Sequence, residues 1–391
     1  MNVKLRQGKA ELPIKTLLVM AGGTGGHIFP GIAVADELKA QGWHIHWLGT
    51  AERMEATIVP ENGFDISFIN ISGLRGKSLL SMFAIPFKLL QSLSQARCVI
   101  KRVKPDVVLG MGGYASAPGG IAAWLSRIPL IVHEQNAIAG LSNRVLARIA
   151  DKVCCAFPNA FSGGVNAEVV GNPLRAIIGK KTVSAESAEQ GDQQGKTVSK
   201  NILVFGGSLG AQVLNTVIPP SFKEQLAMDD SYCIWHQTGS GNQAQVIDAY
   251  KEHVVTGRVK VNEFITDMGA AYEWADIVIC RAGALTVSEL AMAATPAIFI
   301  PLPHAVDDHQ TQNALYLVNR GAAKLLPQAQ LNKESITALI TELFAEPETL
   351  ANMAKSAFAA ANIDASKKVA KLCQQLAKAN DSSFRSNEEK I

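Results

Sequence analysis

The sequence predicts an α/β protein of two doubly wound parallel-sheet domains in series, and three observations carry that prediction. Short, almost continuously apolar runs alternate with helical patterns, the alternation restarts after the midpoint, and several of the runs end in glycine-rich turns. Strands buried on both faces read as unbroken apolar runs, which is what a parallel sheet covered by helices requires. At 391 residues the chain also exceeds what one ordinary core organises.

In the first half, TLLVMA (16–21), HIHWLG (44–49), DVVLGMGG (106–113) and PLIVHE (129–134) read as buried strands. In the second half the same reading falls on NILVFGGS (201–208), CIWHQTG (233–239), VKVNEFI (259–265), ADIVICRAG (275–283) and PAIFIPLP (296–303). The polar stretch at 180–200, KKTVSAESAEQGDQQGKTVSK, reads as a linker or exposed insertion. From about Asn332 the pattern is helical, ending in the polar tail KANDSSFRSNEEKI. The expected domains are 1–173 and 201–345. Ligands of open α/β sheets bind beyond the carboxyl ends of the strands, so two such edges are expected to face each other across a cleft.

Composition narrows the function classes. A formal charge of +3, with 48% hydrophobic and 18% charged residues, describes a soluble globular protein and gives no reason to expect a nucleic-acid partner. The six cysteines (98, 154, 155, 233, 280, 373) form no C-x-x-C pair, which argues against a disulfide framework or structural zinc and suits a reducing cytoplasm. Before the first glycines the only apolar run is LLVMA, too short for a signal peptide, and no run reaches the ~18 residues of a membrane span.

The glycine turns carry the first functional signal. Gly22, Gly23, Gly25 and Gly26 permit a tight strand-to-helix turn, with Pro30 expected in the first helical turn and Gly42 as a stop. Such a turn leaves backbone N–H groups free at a helix start, where an anion can sit. A dinucleotide site would need glycine at position 28 and an acid closing the next strand, but Ile28 and Thr50 stand there, which disfavours NAD. The theme recurs in FGGSLGAQVLN (205–215), where Ser208 adds a hydroxyl, and in ICRAGALTVSELAMAA (279–294), where a helix opens near Thr286. Glu289 then falls in that helix's first turn, able to accept two hydroxyls of a sugar or to serve as an ordinary helix-start acid. Two anion-ready helix starts in one sheet suggest a diphosphate with an attached ribose; simple packing turns are the plainer reading of each alone. GDQQGKT (191–197) follows no strand and has its first glycine one residue too close to GKT, so it is no phosphate loop.

Three polar or basic stretches complete the inventory. HEQNAIAG (133–140) puts His133, Glu134, Gln135 and Asn136 directly after a strand, and it is not the H-E-x-x-H of a zinc protease. PLPHAVDDHQTQNA (301–314) supplies His304, Asp307, Asp308, His309, Gln310 and Asn313, whose amides suit sugar hydroxyls better than a metal. With no D-x-D in the chain, nothing supports a metal bridging a nucleotide diphosphate. Finally, 72–104 carries Arg75, Lys77, Lys88, Arg97, Lys101, Arg102 and Lys104 without an acid, around an apolar middle that includes Leu79, Phe83, Phe87 and Leu90. A core helix with a solvated basic face and a surface that docks on anionic lipid are both open readings.

Taken in order, GGTGGHIFP, ISGLRGK, GMGGYASAPGG, HEQNAIAG, VVGNPLR, FGGSLGA, CRAGALTVSEL and DDHQTQNA resemble the MurG family across nearly the whole chain. That resemblance implies a GT-B fold, two Rossmann-like parallel-sheet domains facing a cleft, with a C-terminal helix at about 355–380 packing back on the first. It implies an inverting, UDP-N-acetylglucosamine-dependent glycosyltransferase of peptidoglycan synthesis. The acceptor would be the 4-hydroxyl of undecaprenyl-diphospho-N-acetylmuramoyl-pentapeptide, reached at the cytoplasmic face of the inner membrane. Carried onto matching positions, Arg175 and the backbone of Ile265 would lie near the uracil, and Ser208 with the turn Ala284, Leu285, Thr286, continuing to Val287 and Ser288, near the diphosphate. Glu289 would hold the ribose, Gln310 with Asn313 the N-acetylglucosamine hydroxyls, and Thr24, Gly25, Gly26 and Asn136 would reach the transferred sugar or acceptor. His27 is the preferred general base, with a loop-fixing role as its alternative, and His133 and Glu134 are held in reserve. The loop at 22–27 would hold the lipid's diphosphate or support the reacting sugar, and 72–104 would dock the enzyme on the anionic membrane surface. No cofactor is expected, a divalent cation having at most a non-essential effect, and cell-wall synthesis proteins are candidate partners. A GT-B enzyme acting on another lipid and a UDP-N-acetylglucosamine epimerase remain the alternatives.

Overall fold

The computed structural model describes residues 14–71, 85–175, 199–207, 210–303 and 308–388. Within these, 14–133, 141–153 and 367–388 pack as one compact unit, and 134–140 with 154–366 as a second. Packing therefore assigns HEQNAIAG from Glu134 onward, and the chain from Cys154, to the second unit, where the expected limit stood at 173. Most of the insertion expected at 180–200 lies outside the described residues, but Lys200 already opens a strand and pairs with Asp229 at 2.7 Å.

The first sheet contains β1 (Thr16–Ala21), β2 (His44–Gly49), β3 (Asp65–Phe68), β4 (Val107–Gly112), β5 (Leu130–Glu134), β6 (Lys152–Cys155) and β7 (Glu168–Val169). Their order is β3-β2-β1-β4-β5-β6-β7, with β1 running parallel to both β2 and β4. Helices α1 (Gly25–Lys39), α2 (Glu55–Glu61), α3 (Ile85–Val103), α4 (Ser116–Leu125) and α5 (Leu141–Leu146) connect them. Leu17 to Ala21 and Val107 to Leu109 are wholly out of solvent, as strands covered on both faces must be.

The second sheet contains β8 (Lys200–Phe205), β9 (Tyr232–Gln237), β10 (Val259–Asn262), β11 (Ile277–Cys280), β12 (Ala297–Phe299) and β13 (Ala323–Leu325). The order β10-β9-β8-β11-β12-β13 is the doubly wound one, with the reversal between β8 and β11. Its helices are α6 (Gln212–Ser221), α7 (Lys223–Met228), α8 (Gln243–Tyr250), α9 (Glu252–Val255), α10 (Met268–Trp274), α11 (Ala284–Met292), α12 (His309–Val318), α13 (Lys333–Ala345) and α14 (Pro347–Ala359). Alternation sorts the strands between two cores. Leu203, Phe205, Val278, Cys280, Ala297 and Phe299 face one, while Ile202, Val204, Ile277, Ile279, Ile298 and Ile300 face the other. The last helix, α15 (Ala365–Glu388), groups with the first unit from residue 367 on.

In both sheets the strand order reverses where the glycine turns lie, which is where such sheets form their ligand crevice. Glycine is needed there for steric reasons. Gly113 has φ +89°, and a Cβ on it would stand 2.4 Å from the carbonyl oxygen of Gly22, so the turn after β4 presses directly on the turn after β1. Gly210, at φ +71°, would place a Cβ 2.2 Å from the Thr238 oxygen. One expectation is corrected at α1. The helix already begins at Gly25, so Pro30 lies in its second turn, where it leaves the Gly26 carbonyl without an intrahelical donor.

Beside the second crevice, His236 is fully buried, with Nδ1 3.0 Å from the Tyr250 hydroxyl and Nε2 3.1 Å from Asn215 Oδ1. Asn215 in turn donates to the Thr238 carbonyl at 2.9 Å. Burial holds the imidazole neutral, with its pKa pushed down to about 3.

Two outcomes follow from these contacts. Gly113→Ala adds left-handed strain and a backbone collision, and should lower unfolding stability by about 3 kcal/mol. Gly42→Ala, also at positive φ but with open space around it, should lose only about 1–2 kcal/mol in the same denaturant titration. Equal losses would mean that the Gly22–Gly113 contact is not tight. As for pH, the unfolded chain protonates His236 near 6.5 and the folded chain only near 3. The contribution to stability is therefore lost as pH falls below 6.5, by about 1.4 kcal/mol per pH unit. His236→Gln should flatten that limb of the stability profile; an unchanged slope would contradict the buried neutral ring.

Candidate functional site: two glycine crevices and a buried asparagine clamp

In the first unit, the turn after β1 rests on a carboxylate. Glu55, 1% exposed at the start of α2, accepts the Gly23 N–H through Oε2 at 2.9 Å. Its Oε1 accepts the Thr50 N–H at 3.0 Å and the Thr50 hydroxyl at 2.7 Å. A Cβ on Gly22 would lie 2.5 Å from Oε1, so only glycine lets the loop settle onto this prop. On the β4 side, Ser116 Oγ accepts from Gly112 N–H at 3.1 Å and lies 3.0 Å from the Met20 carbonyl, fixing the two turns together.

What remains open on this edge is the start of α1. The first intrahelical bonds are those of the His27 and Ile28 N–H groups to the Thr24 carbonyl, which leaves the N–H groups of Gly25 and Gly26 ahead of the ladder. Thr24 and Gly26 are exposed, and His27 is half-buried with its ring against Gly112, whose Cβ would be 3.1 Å from Nδ1. Thr24, Gly25, Gly26 and His27 thus share one crevice edge. Glu55 changes the reading of that edge, because one loop donor is already spent on a buried negative charge. A second anion placed on the same loop would meet that charge, so support of an uncharged sugar fits better than a grip on a diphosphate.

The reserve bases fare differently. His133 is 0% exposed and Glu134 1%, and the Glu134 carboxylate accepts Asn136 N–H (2.9 Å), Asn136 Nδ2 (3.1 Å) and Gly140 N–H (3.0 Å). A buried carboxylate with three donors shapes its loop and has no exposed face with which to take a substrate proton, so both reserves are withdrawn.

In the second unit, α11 begins at Gly283 with no side-chain cap, and its first intrahelical bond runs from Val287 N–H to the Gly283 carbonyl at 3.0 Å. The N–H groups of Ala284, Leu285 and Thr286 precede it, a helix start prepared for an anion. Two of the expected contacts are corrected here. Val287 is 0% exposed in the core, and the Ser288 hydroxyl is engaged with the Ala284 carbonyl (3.0 Å) and Asn172 Nδ2 (2.9 Å). Ser208 lies outside the described residues. Arg281, the cation nearest the turn in sequence, is spent on the Ile300 and Pro301 carbonyls and on Gln328 Oε1.

Glu289, one turn into α11, is half-buried and accepts the Tyr272 hydroxyl at 2.9 Å. Burial pushes its carboxyl up, while the Tyr272 hydrogen bond and the Arg175 guanidinium pull it down. Arg175 itself is exposed, and Ile265 is 6% exposed within the core cluster that also contains Tyr272 and Val287. Gln310, in the first turn of α12, is half-buried and accepts Leu302 N–H at 2.9 Å through Oε1, which leaves its amide N–H₂ for a ligand.

Asn313 departs from expectation most clearly. It is 0% exposed; its Oδ1 accepts Ala137 N–H (2.8 Å), and its Nδ2 donates to Asn136 Oδ1 (3.3 Å) and the Ala282 carbonyl (3.2 Å). It therefore holds Asn136 against the turn after β11 and has no side-chain group left for a sugar. Asn172, 2% exposed, does the same one layer on, with Nδ2 on the Gln135 carbonyl (3.1 Å), the Ala284 carbonyl (3.3 Å) and Ser288 Oγ. Glu55, Tyr272 and the clamp role of Asn172 escaped the sequence reading, although VVGNPLR, which contains Asn172, was among the motifs.

Comparison with known proteins agrees with this architecture. The glycosyltransferase family 28 N-terminal domain matches residues 17–155 and the glycosyltransferase family 28 C-terminal domain residues 201–376. The chain is 72% identical over 392 residues, covering all of both chains, to the UDP-N-acetylglucosamine–N-acetylmuramyl-(pentapeptide) pyrophosphoryl-undecaprenol N-acetylglucosamine transferase of Colwellia psychrerythraea. It is 53% identical over 365 residues to the Aeromonas hydrophila protein of the same name, covering 93% of this chain and 97% of that one. The crystal structure of Acinetobacter baumannii MurG matches with a TM-score of 0.78 at 39% identity, over 92% of this chain and 99% of that one. With both its halves matched and relatives this similar along its whole length, the chain has a GT-B fold and belongs to the MurG family of glycosyltransferases.

Proposed function

We propose that this protein transfers N-acetylglucosamine from UDP-N-acetylglucosamine to the 4-hydroxyl of undecaprenyl-diphospho-N-acetylmuramoyl-pentapeptide, inverting the anomeric centre. The observation that carries the reading is the uncapped start of α11 with Glu289 one turn on. A helix start for a diphosphate stands one turn from a carboxylate for a ribose, on a chain 72% identical to a transferase of that name. The acceptor oxygen forms its bond to the sugar's C1 as the bond from C1 to the phosphate oxygen breaks, and UDP leaves. The N–H groups of Ala284, Leu285 and Thr286 stabilise the charge that develops on the leaving diphosphate, so the reaction proceeds without a metal. Arg175 and the Ile265 backbone lie toward the uracil, and Gln310 reads the sugar through its amide N–H₂. Asn136, held by Asn313, presents its loop to the sugar. The first unit supplies the acceptor side, where Thr24, Gly25 and Gly26 support the reacting sugar and His27 takes the hydroxyl proton.

The enzyme works peripherally at the cytoplasmic face of the inner membrane, docking through the first unit. Residues 72–84 of the basic apolar stretch lie outside the described residues, but α3 buries Ala96, Val99 and Ile100 at its end while Phe87, Leu89 and Leu90 stand exposed at its start. Helix α3 packs on α4 and α4 on α5, where Trp124, Leu125, Leu141 and Val145 are exposed too. Lys88 and Arg144 are exposed among them, the combination that suits an anionic lipid surface. Among the described residues no helix is long and apolar enough to cross a membrane.

The direct test measures UDP release in chelator, with and without a short-chain analogue of the lipid acceptor. Release that needs the analogue and yields a β-1,4-linked disaccharide is expected; acceptor-independent turnover would point to an epimerase, and inertness toward this acceptor to another lipid. In the same assay His27→Ala should lower kcat at least about 100-fold with the donor KM nearly unchanged. A kcat within a few-fold of the parent would return His27 to a loop-fixing role. For docking, Phe87→Ser with Trp124→Ser should cut partition onto anionic vesicles about tenfold or more while leaving the unfolding midpoint in place. Unaltered partition would dismiss this face.

A further inference from the structure

Tyr272 stands outside every motif of the sequence, yet its side chain ends at the carboxylate on which nucleotide binding depends. It lies in α10, 1% exposed, and its hydroxyl donates to Glu289 Oε2 at 2.9 Å. We propose that Tyr272 is a positioning residue for the donor nucleotide. Its hydroxyl fixes one oxygen of Glu289, so that the other stands ready for the ribose diol. The inference rests on the reading of Glu289 as the ribose-binding group.

Packing leaves the phenol little choice of direction. The Tyr272 ring belongs to the core cluster under α11, tilted 56° against Phe205 with centroids 6.1 Å apart. A phenol buried this deeply needs a partner for its hydroxyl, and Glu289 is the partner it reaches. A glutamate has three side-chain torsions to restrict, and restricting them on binding would subtract from affinity. Here the restriction is already made in the free protein, by an aromatic ring fixed in the core.

The charge of Glu289 is set by two groups and by burial. Tyr272 approaches from α10 and Arg175 from the segment after β7, both favouring the charge, burial opposes it, and Glu289 in turn pushes up the Cys280 thiol at the end of β11. Only an ionised carboxylate offers all its lone pairs to a diol. The Tyr272 hydrogen bond and the Arg175 guanidinium favour that form against the burial that opposes it. Removing the hydroxyl therefore lets Glu289 take its proton at higher pH.

Calorimetric binding of UDP to the full chain, from pH 5 to 8, separates the possibilities when run on the parent, Tyr272→Phe, Glu289→Ala and the double variant. Phenylalanine keeps the ring and removes only the oxygen. Tyr272→Phe is expected to weaken UDP binding roughly three- to tenfold, to move the acid limb of the affinity profile to higher pH, and to add nothing in the Glu289→Ala background. If Tyr272→Phe leaves affinity and limb unchanged while Glu289→Ala weakens binding, the positioning role is overturned and the ribose reading stands. If the two losses add in the double variant, Tyr272 acts by packing alone, and the proposal is again overturned. Should Glu289→Ala bind UDP like the parent, the reading of Glu289 itself has failed.

Discussion

The donor end of this molecule depends on two buried asparagine amides. Asn313 and Asn172 together make six hydrogen bonds to backbone and side-chain groups of the 134–140 loop and of the turn that opens α11. Backbone carbonyls and N–H groups on those segments have left water, and each would cost about 1–3 kcal/mol if it lost its partner. Asn313 meets opposite needs with one amide, its Oδ1 accepting from Ala137 N–H and its Nδ2 donating to Asn136 Oδ1 and the Ala282 carbonyl, whereas Asn172 acts through its Nδ2 alone. The position of Asn136 and the opening of α11 are thereby set by the same clamp.

Much of the remaining chemistry is done by backbone. In the first crevice glycines let two turns come within contact of each other, and Gly22 lets its loop sit on the Glu55 carboxylate. In the second, a helix starts without a cap and offers the peptide N–H groups of 284–286. Asn313, expected on the sugar, and Arg281, the cation nearest the turn in sequence, are both occupied in holding backbone carbonyls. Side chains here mostly place the backbone, and the peptide N–H groups left open at a helix start are the arrangement that suits an anion.

The sequence made the architecture legible because apolar runs of a doubly wound sheet are unbroken; β1 and β2 coincide with their patterns, and β8 and β11 begin within two residues of theirs and end three residues sooner. It missed β3, β6, β7 and β13, two to four residues long, each of which carries a charged residue in place of an unbroken apolar run. The crevice glycines were legible because positive φ and close approach leave few alternatives. Burial was not. HEQN reads as four residues lining a site, yet three of them are covered, because a polar run at a strand end serves equally to tie the next loop. Tyr272 and Glu289 lie 17 residues apart on two helices with β11 between them, a juxtaposition that no local pattern encodes. Glu55 stands in no motif of the sequence, and only the fold brings Gly22 and Gly23 onto its carboxylate.

The central claim is that the second unit alone grips the nucleotide, through the opening of α11 and Glu289. A crystal structure with UDP bound tests it most directly. The account predicts the diphosphate oxygens at the N–H groups of Ala284, Leu285 and Thr286, with the ribose hydroxyls on Glu289. A diphosphate seated instead on the Gly22–His27 turn, above the buried Glu55 carboxylate, would contradict it.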